Sequence, residues 1–299
     1  MRKLLLGSLA LLALGAGGSA LAADVRLPTF KAPPPVAVYS WTGFYVGGNI
    51  GYSWGKADTD VAIPGFTVGS VSGLTDDLDI PGATFSDSAK LKGIIGGGQI
   101  GYNVQTGRWV FGLELDWQAS GEKGGGTRSA AFDVLDGECD IACIFAQGTA
   151  TTQYEAKILW FGTARGRVGY AADGLLLYGT GGLAYGRVKV AGTNTVTGAV
   201  TECVLIIGCE TTTSLAAATA FDRSKVNIGW TLGAGIEGAF AHLRNWTWKF
   251  EYLYLDLGSL DASAVTPFGT VFTTHTRFTD HVVRLGLNVR FDGPVVARY

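Results

Sequence analysis

The sequence predicts an all-β protein, a transmembrane eight-stranded antiparallel up-and-down β-barrel with short periplasmic turns and long extracellular loops. Three observations predict this fold class. Apolar and polar residues alternate with period two in eight segments, as in strands whose two faces meet different environments. Glycine is abundant, at 45 residues, while charged residues make up 16% of the chain. Short and long connections alternate between the segments, as in bacterial outer-membrane barrels.

Residues 1–22 have the features of a secretory signal peptide. Arg2 and Lys3 precede an apolar run over 4–16, and small residues follow at 19–22. The run is shorter than the roughly 20 apolar residues that a spanning helix needs. We therefore predict cleavage after residue 22 and no helical anchor.

The remaining chain divides into three predicted parts. Residues 23–40 contain Pro33-Pro34-Pro35 and form a proline-rich periplasmic segment, either a tether or a disordered leader. Residues 41–291 form the barrel. Residues 292–299 form a short C-terminal extension.

Eight segments carry the alternating pattern. They are 42–54, 90–104, 109–120, 153–170, 175–190, 224–238, 246–258 and 277–291. In the seventh, the large apolar residues Trp246, Trp248 and Phe250 alternate with Thr247 and Lys249. We expect the large apolar face to meet lipid and the opposite face to line the lumen. The fifth segment is so rich in glycine that its phase, and hence its register, stays open.

The connections predict the orientation. An even number of strands places both chain ends on the periplasmic side. The short connections 105–108, 171–174 and 239–245 are then periplasmic turns, and the long connections 55–89, 121–152, 191–223 and 259–276 are external loops. A soluble lipocalin-like barrel is the structural competitor. Secretion, aromatic strand ends and the asymmetry of the loops favour the membrane barrel.

The predicted lumen face carries four acidic and six basic residues. Eight strands leave an interior just wide enough for side chains to fill. Buried charges persist when they are paired, so we predict a salt-bridge network that plugs the barrel and leaves little general diffusion. The network residues are Glu114, Asp116, Lys157, Arg165, Arg167, Glu237, Lys249, Glu251, Arg284 and Arg290.

Four cysteines lie in two of the long connections. They are Cys139, Cys143, Cys203 and Cys209. An even number of cysteines in an oxidising compartment favours disulfides, and three pairings are possible. Pairing within each connection requires no assumption about the fold. Because no histidine lies nearby, we predict no metal site.

Catalytic and cofactor motifs lack the context they need. The histidines are His242, His275 and His281, with Ser259, Ser263, Asp256 and Asp280 as conceivable partners of the last two. A catalytic triad is defined by geometry rather than by residue types, so we predict no catalytic residues and no enzyme. The glycine runs at 96–98 and 179–182 are not followed by a helix, so we predict no phosphate-binding loop and no cofactor.

Four short segments resemble a known family. They are WTGFYVGG at 41–48, GQIGYN at 98–103, GGLAYG at 181–186 and KFEYLY at 249–254. They look like the OmpA-like small outer-membrane β-barrel proteins, in particular the α-proteobacterial RopB-type proteins. The resemblance implies an outer-membrane location in a Gram-negative bacterium, a barrel of eight strands and no catalytic residues. The family's terminal aromatic residue corresponds to Phe291. We expect the barrel-insertion machinery to recognise the last strand through this residue. Tyr299, at the end of the chain, is the alternative recognition residue.

These features lead to a structural expectation for function. We expect a barrel that contributes to cell-envelope integrity, displays its loops at the surface and contacts outer-membrane lipid and lipopolysaccharide. The alternatives are a narrow porin for small solutes, and an adhesin or receptor acting through the loops. A formal net charge of −2 offers no basic footprint for nucleic acid. The sequence names no loop ligand and leaves the oligomeric state open.

Overall fold

The computed structural model describes residues 39–68, 77–136, 142–204, 208–243, 245–266 and 269–291. The predicted signal peptide, most of the proline-rich segment and the C-terminal extension lie outside these ranges. Among the described residues, no helix has the length and apolar character required to cross a membrane.

Ten β-strands make up the described structure. They are β1 (Gly43–Ile63), β2 (Phe66–Val68), β3 (Leu78–Ile80), β4 (Ala83–Thr106), β5 (Trp109–Asp136), β6 (Ala142–Ala172), β7 (Leu175–Val204), β8 (Gly208–Ala239), β9 (Trp246–Val265) and β10 (Val271–Arg290). Eight of them close into a barrel in the order β1-β10-β9-β8-β7-β6-β5-β4, and every neighbouring pair is antiparallel. Strands β2 and β3 pair with each other within the β1–β4 connection. The predicted fold class is confirmed.

A band of exposed apolar side chains surrounds the barrel. On β1 it runs from Phe44 to Trp54, and Ile228 on β8 is 74% exposed. Ten residue steps of about 3.3 Å, in a strand tilted by roughly 40°, span about 25 Å along the barrel axis. This height matches the lipid-facing band of outer-membrane barrels. The short turns lie at the end of the band where the described chain begins and ends, so that end is periplasmic.

The connections expected as long loops are largely strand in the structure. The described residues of 55–89, 121–152, 191–223 and 259–276 mostly extend the barrel strands well beyond the apolar band, so that β8 alone has 32 residues. On β1 the outward residues after Trp54 are the exposed Lys56 and Asp58, while Ala57 and Val61 turn inward and are buried. The alternation with period two therefore continues beyond the lipid, but the outward residues are now polar and the inward residues are apolar. The outward face now meets water rather than lipid, and the inward face packs an apolar core.

This apolar core fills the barrel above the membrane. It includes Leu91, Leu255 and Leu257, and the rings of Phe221 and Phe272 pack 5.5 Å apart between their centroids. Each of these strand extensions buries side chains against its neighbours. The external hairpins are consequently part of one packed barrel.

The glycine-rich strand β7 has a definite phase in the structure. Leu176, Tyr178 and Thr180 point inward, and Leu177 and Leu183 point outward. Continuous pairing with β6 on one side and β8 on the other fixes its register. The register that the sequence left open is thus set by the neighbouring strands rather than by the pattern of β7 itself.

A polar contact joins three strands that belong to two of the external hairpins. Asp87 on β4 accepts hydrogen bonds from Tyr154 on β6 at 2.8 Å and from the Arg128 guanidinium on β5 at 2.9 Å. Burial by itself raises the pKa of the Asp87 carboxyl, but the hydrogen bonds from Tyr154 and Arg128 outweigh it and lower the pKa below its usual value. The carboxylate therefore stays ionised and holds its two partners.

Candidate functional site

Eight charged side chains fill the part of the lumen that lies within the membrane. They project inward from five strands, and none is more than 4% exposed. Acids and bases are equal in number. The eight are Glu114, Asp116, Arg165, Arg167, Glu237, Lys249, Glu251 and Arg284, which we call the lumen network.

Two arginines form the centre of the lumen network. Arg165 on β6 contacts the carboxylates of Asp116 at 2.9 Å and Glu251 at 3.1 Å. Arg284 on β10 contacts the same two groups, at 2.9 Å for Asp116 and at 2.7 Å from Nε to Glu251. Because these residues belong to four different strands, the pairs tie opposite walls of the barrel together.

Lys249 and Glu114 add a second contact across the lumen. The ammonium group lies 2.8 and 2.9 Å from the two carboxylate oxygens of Glu114. The buried Tyr45 hydroxyl donates to Glu114 at 2.6 Å, and Tyr178 donates to Glu251 at 2.9 Å. These tyrosines supply further hydrogen bonds that buried ion pairs need to offset their desolvation.

Arg167 lies towards the periplasmic side of the lumen network. It contacts Glu237 at 3.0 Å, and its guanidinium stacks 4.7 Å from the centre of the Tyr45 ring and 5.2 Å from that of Tyr178. Asn288 donates to the other oxygen of Glu237 at 2.9 Å. Sequence reasoning omitted Tyr45, Tyr178 and Asn288 from the network. The inward phase of Tyr45 and Asn288 was a signal for these two, whereas the open phase of β7 gave none for Tyr178.

Two predicted members of the network lie elsewhere. Arg290 is buried at the periplasmic end, where it stacks over the rings of Tyr39 and Trp41 and donates to the carbonyl of Thr42 at 2.7 Å. In the described structure it forms no ion pair. Trp41 is itself fully buried there, so this cluster closes the lower end of the lumen.

Lys157 is outside the lumen, and its predicted inward position was wrong. A β-bulge between Ile158 and Trp160 reverses the alternation along β6. Ile158 is therefore buried inside the barrel, while Lys157 points outward and pairs with Glu155 at 2.9 Å. A single added residue in the strand thus exchanges the faces, which the alternating pattern could not reveal.

Comparison with known proteins identifies the family. Residues 9–291 match the family model described as "Outer membrane protein beta-barrel domain". The chain belongs to this outer-membrane β-barrel family. The resemblance stated from the sequence is confirmed, and the protein resides in the outer membrane of a Gram-negative bacterium.

Relatives named as outer-membrane proteins cover most of the chain. The 31 kDa outer-membrane immunogenic protein of Brucella melitensis biotype 1 is 36% identical, over 91% of this chain and 94% of its own. The 22 kDa outer membrane protein of Rhizobium leguminosarum bv. viciae is 29% identical, over 84% of this chain and 79% of its own. Among solved structures, the attachment invasion locus protein Ail of Yersinia pestis is 12% identical with a TM-score of 0.32, covering 82% of this chain and 99% of that one.

A buried pair of acids, missed in the sequence, lies above the lumen network of this outer-membrane barrel. Glu122 on β5 is 2% exposed and Asp280 on β10 is 0% exposed. Their carboxyl groups lie against each other, and Glu122 also lies against the Ser53 hydroxyl. Gly93 separates Ser53 from Glu122, and a Cβ at Gly93 would stand 2.5 Å from the Glu122 backbone nitrogen. Within the described ranges, neither carboxyl has a basic partner, so two ionised carboxylates would repel each other here.

Replacing one acid of this pair by its amide should not harm the barrel. We expect Glu122→Gln to raise the free energy of unfolding by about 1 kcal/mol at pH 7, because a neutral amide removes the repulsion between the two acids and can donate to Asp280. Urea unfolding of the folded protein in detergent micelles measures this change. The matched control is Glu251→Gln, which weakens two arginine contacts and should be clearly destabilising. A loss of stability in Glu122→Gln as large as in the control would contradict a repulsive pair of acids.

The cysteines of the external hairpins are oxidised where the structure describes them. Cys203 and Cys209 form a disulfide at the tip of the β7–β8 hairpin. Cys143 is also disulfide-bonded, while Cys139 falls outside the described residues. No group of metal-ligating side chains occurs among the residues that the structure places.

His275 and His281 have partners other than serine. His281 faces outward, where its Nδ1 is 2.7 Å from the Tyr252 hydroxyl, whereas the adjacent Asp280 points into the barrel. His275 pairs with Asp261 at 2.6 Å on an exposed hairpin. Across the described ranges, no serine hydroxyl is hydrogen-bonded to a histidine. The Ser-His-acid combinations considered from the sequence are therefore not assembled in this conformation.

Proposed function

We propose that the protein is a structural, non-enzymatic outer-membrane barrel that contributes to cell-envelope integrity and displays its hairpins at the surface. The single observation that carries the proposal is the filled lumen. Charged side chains occupy its membrane-embedded part, and an apolar core occupies the part above. A barrel whose lumen is filled in this way is a rigid structural element of the outer membrane.

The packing supports a closed rather than a conducting barrel. Arg284 and Lys249 are both 0% exposed, so water does not surround the charged centre of the lumen. Trp41 closes the periplasmic end, and Leu255 and Phe272 belong to the core that fills the external part. A solute would have to break the ion pairs and also displace the apolar core.

Surface display is supported by the length of the external hairpins. Strands β6, β7 and β8 have 31, 30 and 32 residues, well beyond the roughly 10 that cross a membrane. The Brucella relatives are named immunogenic, which is a statement about those proteins. An adhesin or receptor would use the same hairpins, and it remains the third candidate.

Insertion through the last strand is part of the proposal. Phe291 follows β10, is 62% exposed, and its ring lies 5.9 Å from that of Phe44 on β1. This position at the barrel's closing seam, on the periplasmic side, would allow the insertion machinery to bind the strand end before β1 and β10 pair.

Conductance and deletion phenotypes together test the proposed function. We expect purified protein to give no large, stable single-channel currents in planar bilayers. A deletion strain should become sensitive to detergent with unchanged solute uptake, and the wild-type gene should restore resistance. Large stable currents, or an uptake defect without detergent sensitivity, would support the porin instead. Altered acyl chains in lipopolysaccharide incubated with the protein would contradict the non-enzymatic assignment.

A further inference from the structure

Four lysines cluster on the outward face of three adjacent strands. Lys56 on β1 is directly opposite Lys90 on β4, and Lys92 on β4 is directly opposite Lys123 on β5. All four are exposed, and within the described ranges none of them forms an ion pair. Like charges placed opposite each other across a strand pair destabilise a sheet. An anion bound beside these lysines would relieve this repulsion, and the described chain places no acidic partner on them.

The cluster lies at the external edge of the lipid-facing band. Lys92 is paired with Trp54, the last large apolar side chain of the band on β1. Lys56 is two residues further along β1, about 7 Å at the usual rise of a strand. The ammonium groups are therefore at the height of the headgroups of the outer leaflet, where basic side chains attract anionic lipid.

Three of the lysines line a concave pocket whose wall is aromatic. The pocket has a volume of about 380 Å³, and Lys56, Lys90 and Lys92 share it with Trp54, Tyr254 and His281. The His281 ring stacks on Trp54 at 5.9 Å and lies 5.2 Å from the ring of Tyr254. Ammonium groups bind phosphate oxygens as point charges, and aromatic faces pack against the apolar faces of sugar rings.

We propose that this pocket binds a phosphorylated sugar of the lipopolysaccharide headgroup in the outer leaflet. The lysines hold the phosphate, and the wall of Trp54 and His281 packs against the sugar. The inference depends on the outer-membrane location and goes beyond the proposed integrity function. A barrel without this pocket could still be a closed structural element, and a porin could still have it.

Two other outward lysines provide a matched control. They continue the same row of lysines along the barrel, since Lys157 is directly opposite Lys123 and Lys189 is directly opposite Lys157. Lys157 pairs with Glu155 at 2.9 Å, and Lys189 pairs with Asp222 at 2.7 Å. They have acidic partners on the protein and lie outside the pocket. Substituting both removes the same number of positive charges as substituting Lys90 and Lys92.

The experiment compares these variants in lipid nanodiscs containing the full chain. Binding is measured for purified lipopolysaccharide, for the same lipopolysaccharide after enzymatic removal of its phosphates, and for inorganic phosphate alone. The proteins are the wild type, Lys90→Gln/Lys92→Gln and Lys157→Gln/Lys189→Gln. Migration on unheated detergent gels verifies that each variant is folded, which separates loss of binding from loss of the barrel.

We expect Lys90→Gln/Lys92→Gln to bind intact lipopolysaccharide at least 10-fold more weakly than the wild type, and the control variant to stay within about 2-fold. Wild-type binding should fall by a similar factor for the dephosphorylated lipid and should weaken steeply with salt. Equal losses in both variants, or equal binding of both lipid forms, would overturn the proposal. If inorganic phosphate binds as tightly as lipopolysaccharide, the pocket is a site for free phosphate, and the proposal that its ligand is a lipid is wrong.

Discussion

Replacing Arg284 by methionine is expected to lower the free energy of unfolding by about 3–5 kcal/mol. Arg284 is 0% exposed, pairs with Glu251 on the neighbouring strand β9, and contacts Asp116 on β5 across the lumen. Methionine fills a similar volume but leaves both carboxylates with less compensating charge in a buried site. Urea unfolding in detergent micelles, followed by tryptophan fluorescence, measures the loss.

The control for this prediction is an arginine outside the lumen. Arg187 is exposed on the outward face of β7, where it donates a hydrogen bond to Ser224. We expect Arg187→Met to change stability by less than about 0.5 kcal/mol, as most surface substitutions do. If Arg284→Met costs no more than this control, the lumen charges do not hold the barrel together.

Replacing Phe272 by alanine should cost about 3–5 kcal/mol as well. Phe272 is 0% exposed in the apolar core above the membrane and packs against Phe221. In a flexible surface loop the same substitution would cost almost nothing. The unfolding free energy of this variant therefore distinguishes a packed barrel extension from a loop.

The neighbouring residue provides the control for the external core. Val271 points outward on the same strand and is 53% exposed, so Val271→Ala should have little effect. Similar small effects of both substitutions would mean that the hairpins do not pack as the structure shows. A large loss confined to Phe272→Ala would support the extended barrel.

The fold class was predictable because lipid and a polar lumen impose opposite demands on alternate residues. Along β1, Val46, Ile50 and Tyr52 face lipid and were read correctly from their alternation with small and polar residues. The same contrast identified the eight strands that close the barrel. Nine of the ten predicted lumen residues are buried inside the barrel, and eight of them form the lumen network.

The length of the strands was not predictable by the same criterion. Beyond Trp54, water replaces lipid on the outer face, so polar residues such as Lys56 and Asp58 now lie outside and Ala57 lies inside. A search for large apolar residues on one face reads this exchange as the end of the strand. The alternation itself continues, and following it with the opposite polarity would have extended the strand.

Contacts between strands were beyond what the pattern of one strand can specify. The bulge that turns Lys157 outward depends on pairing with β7, and the meeting of Glu122 with Asp280 depends on closure of the barrel. The lysine pocket likewise forms because the register places Lys56 opposite Lys90. Such features need the relative register of strands, which the sequence leaves open.

Spin-label accessibility along β1 tests the central claim most directly. A single cysteine is introduced in turn at the outward positions 46, 50, 52, 56, 58 and 60 and labelled with a nitroxide, while the described native cysteines remain in disulfides. Collisions with oxygen report lipid, and collisions with a water-soluble nickel complex report water. We predict oxygen access up to position 52 and nickel access from position 56, all at outward positions of one continuous strand. Nickel access throughout, or lipid exposure continuing to position 60, would contradict a barrel whose faces exchange polarity at Trp54.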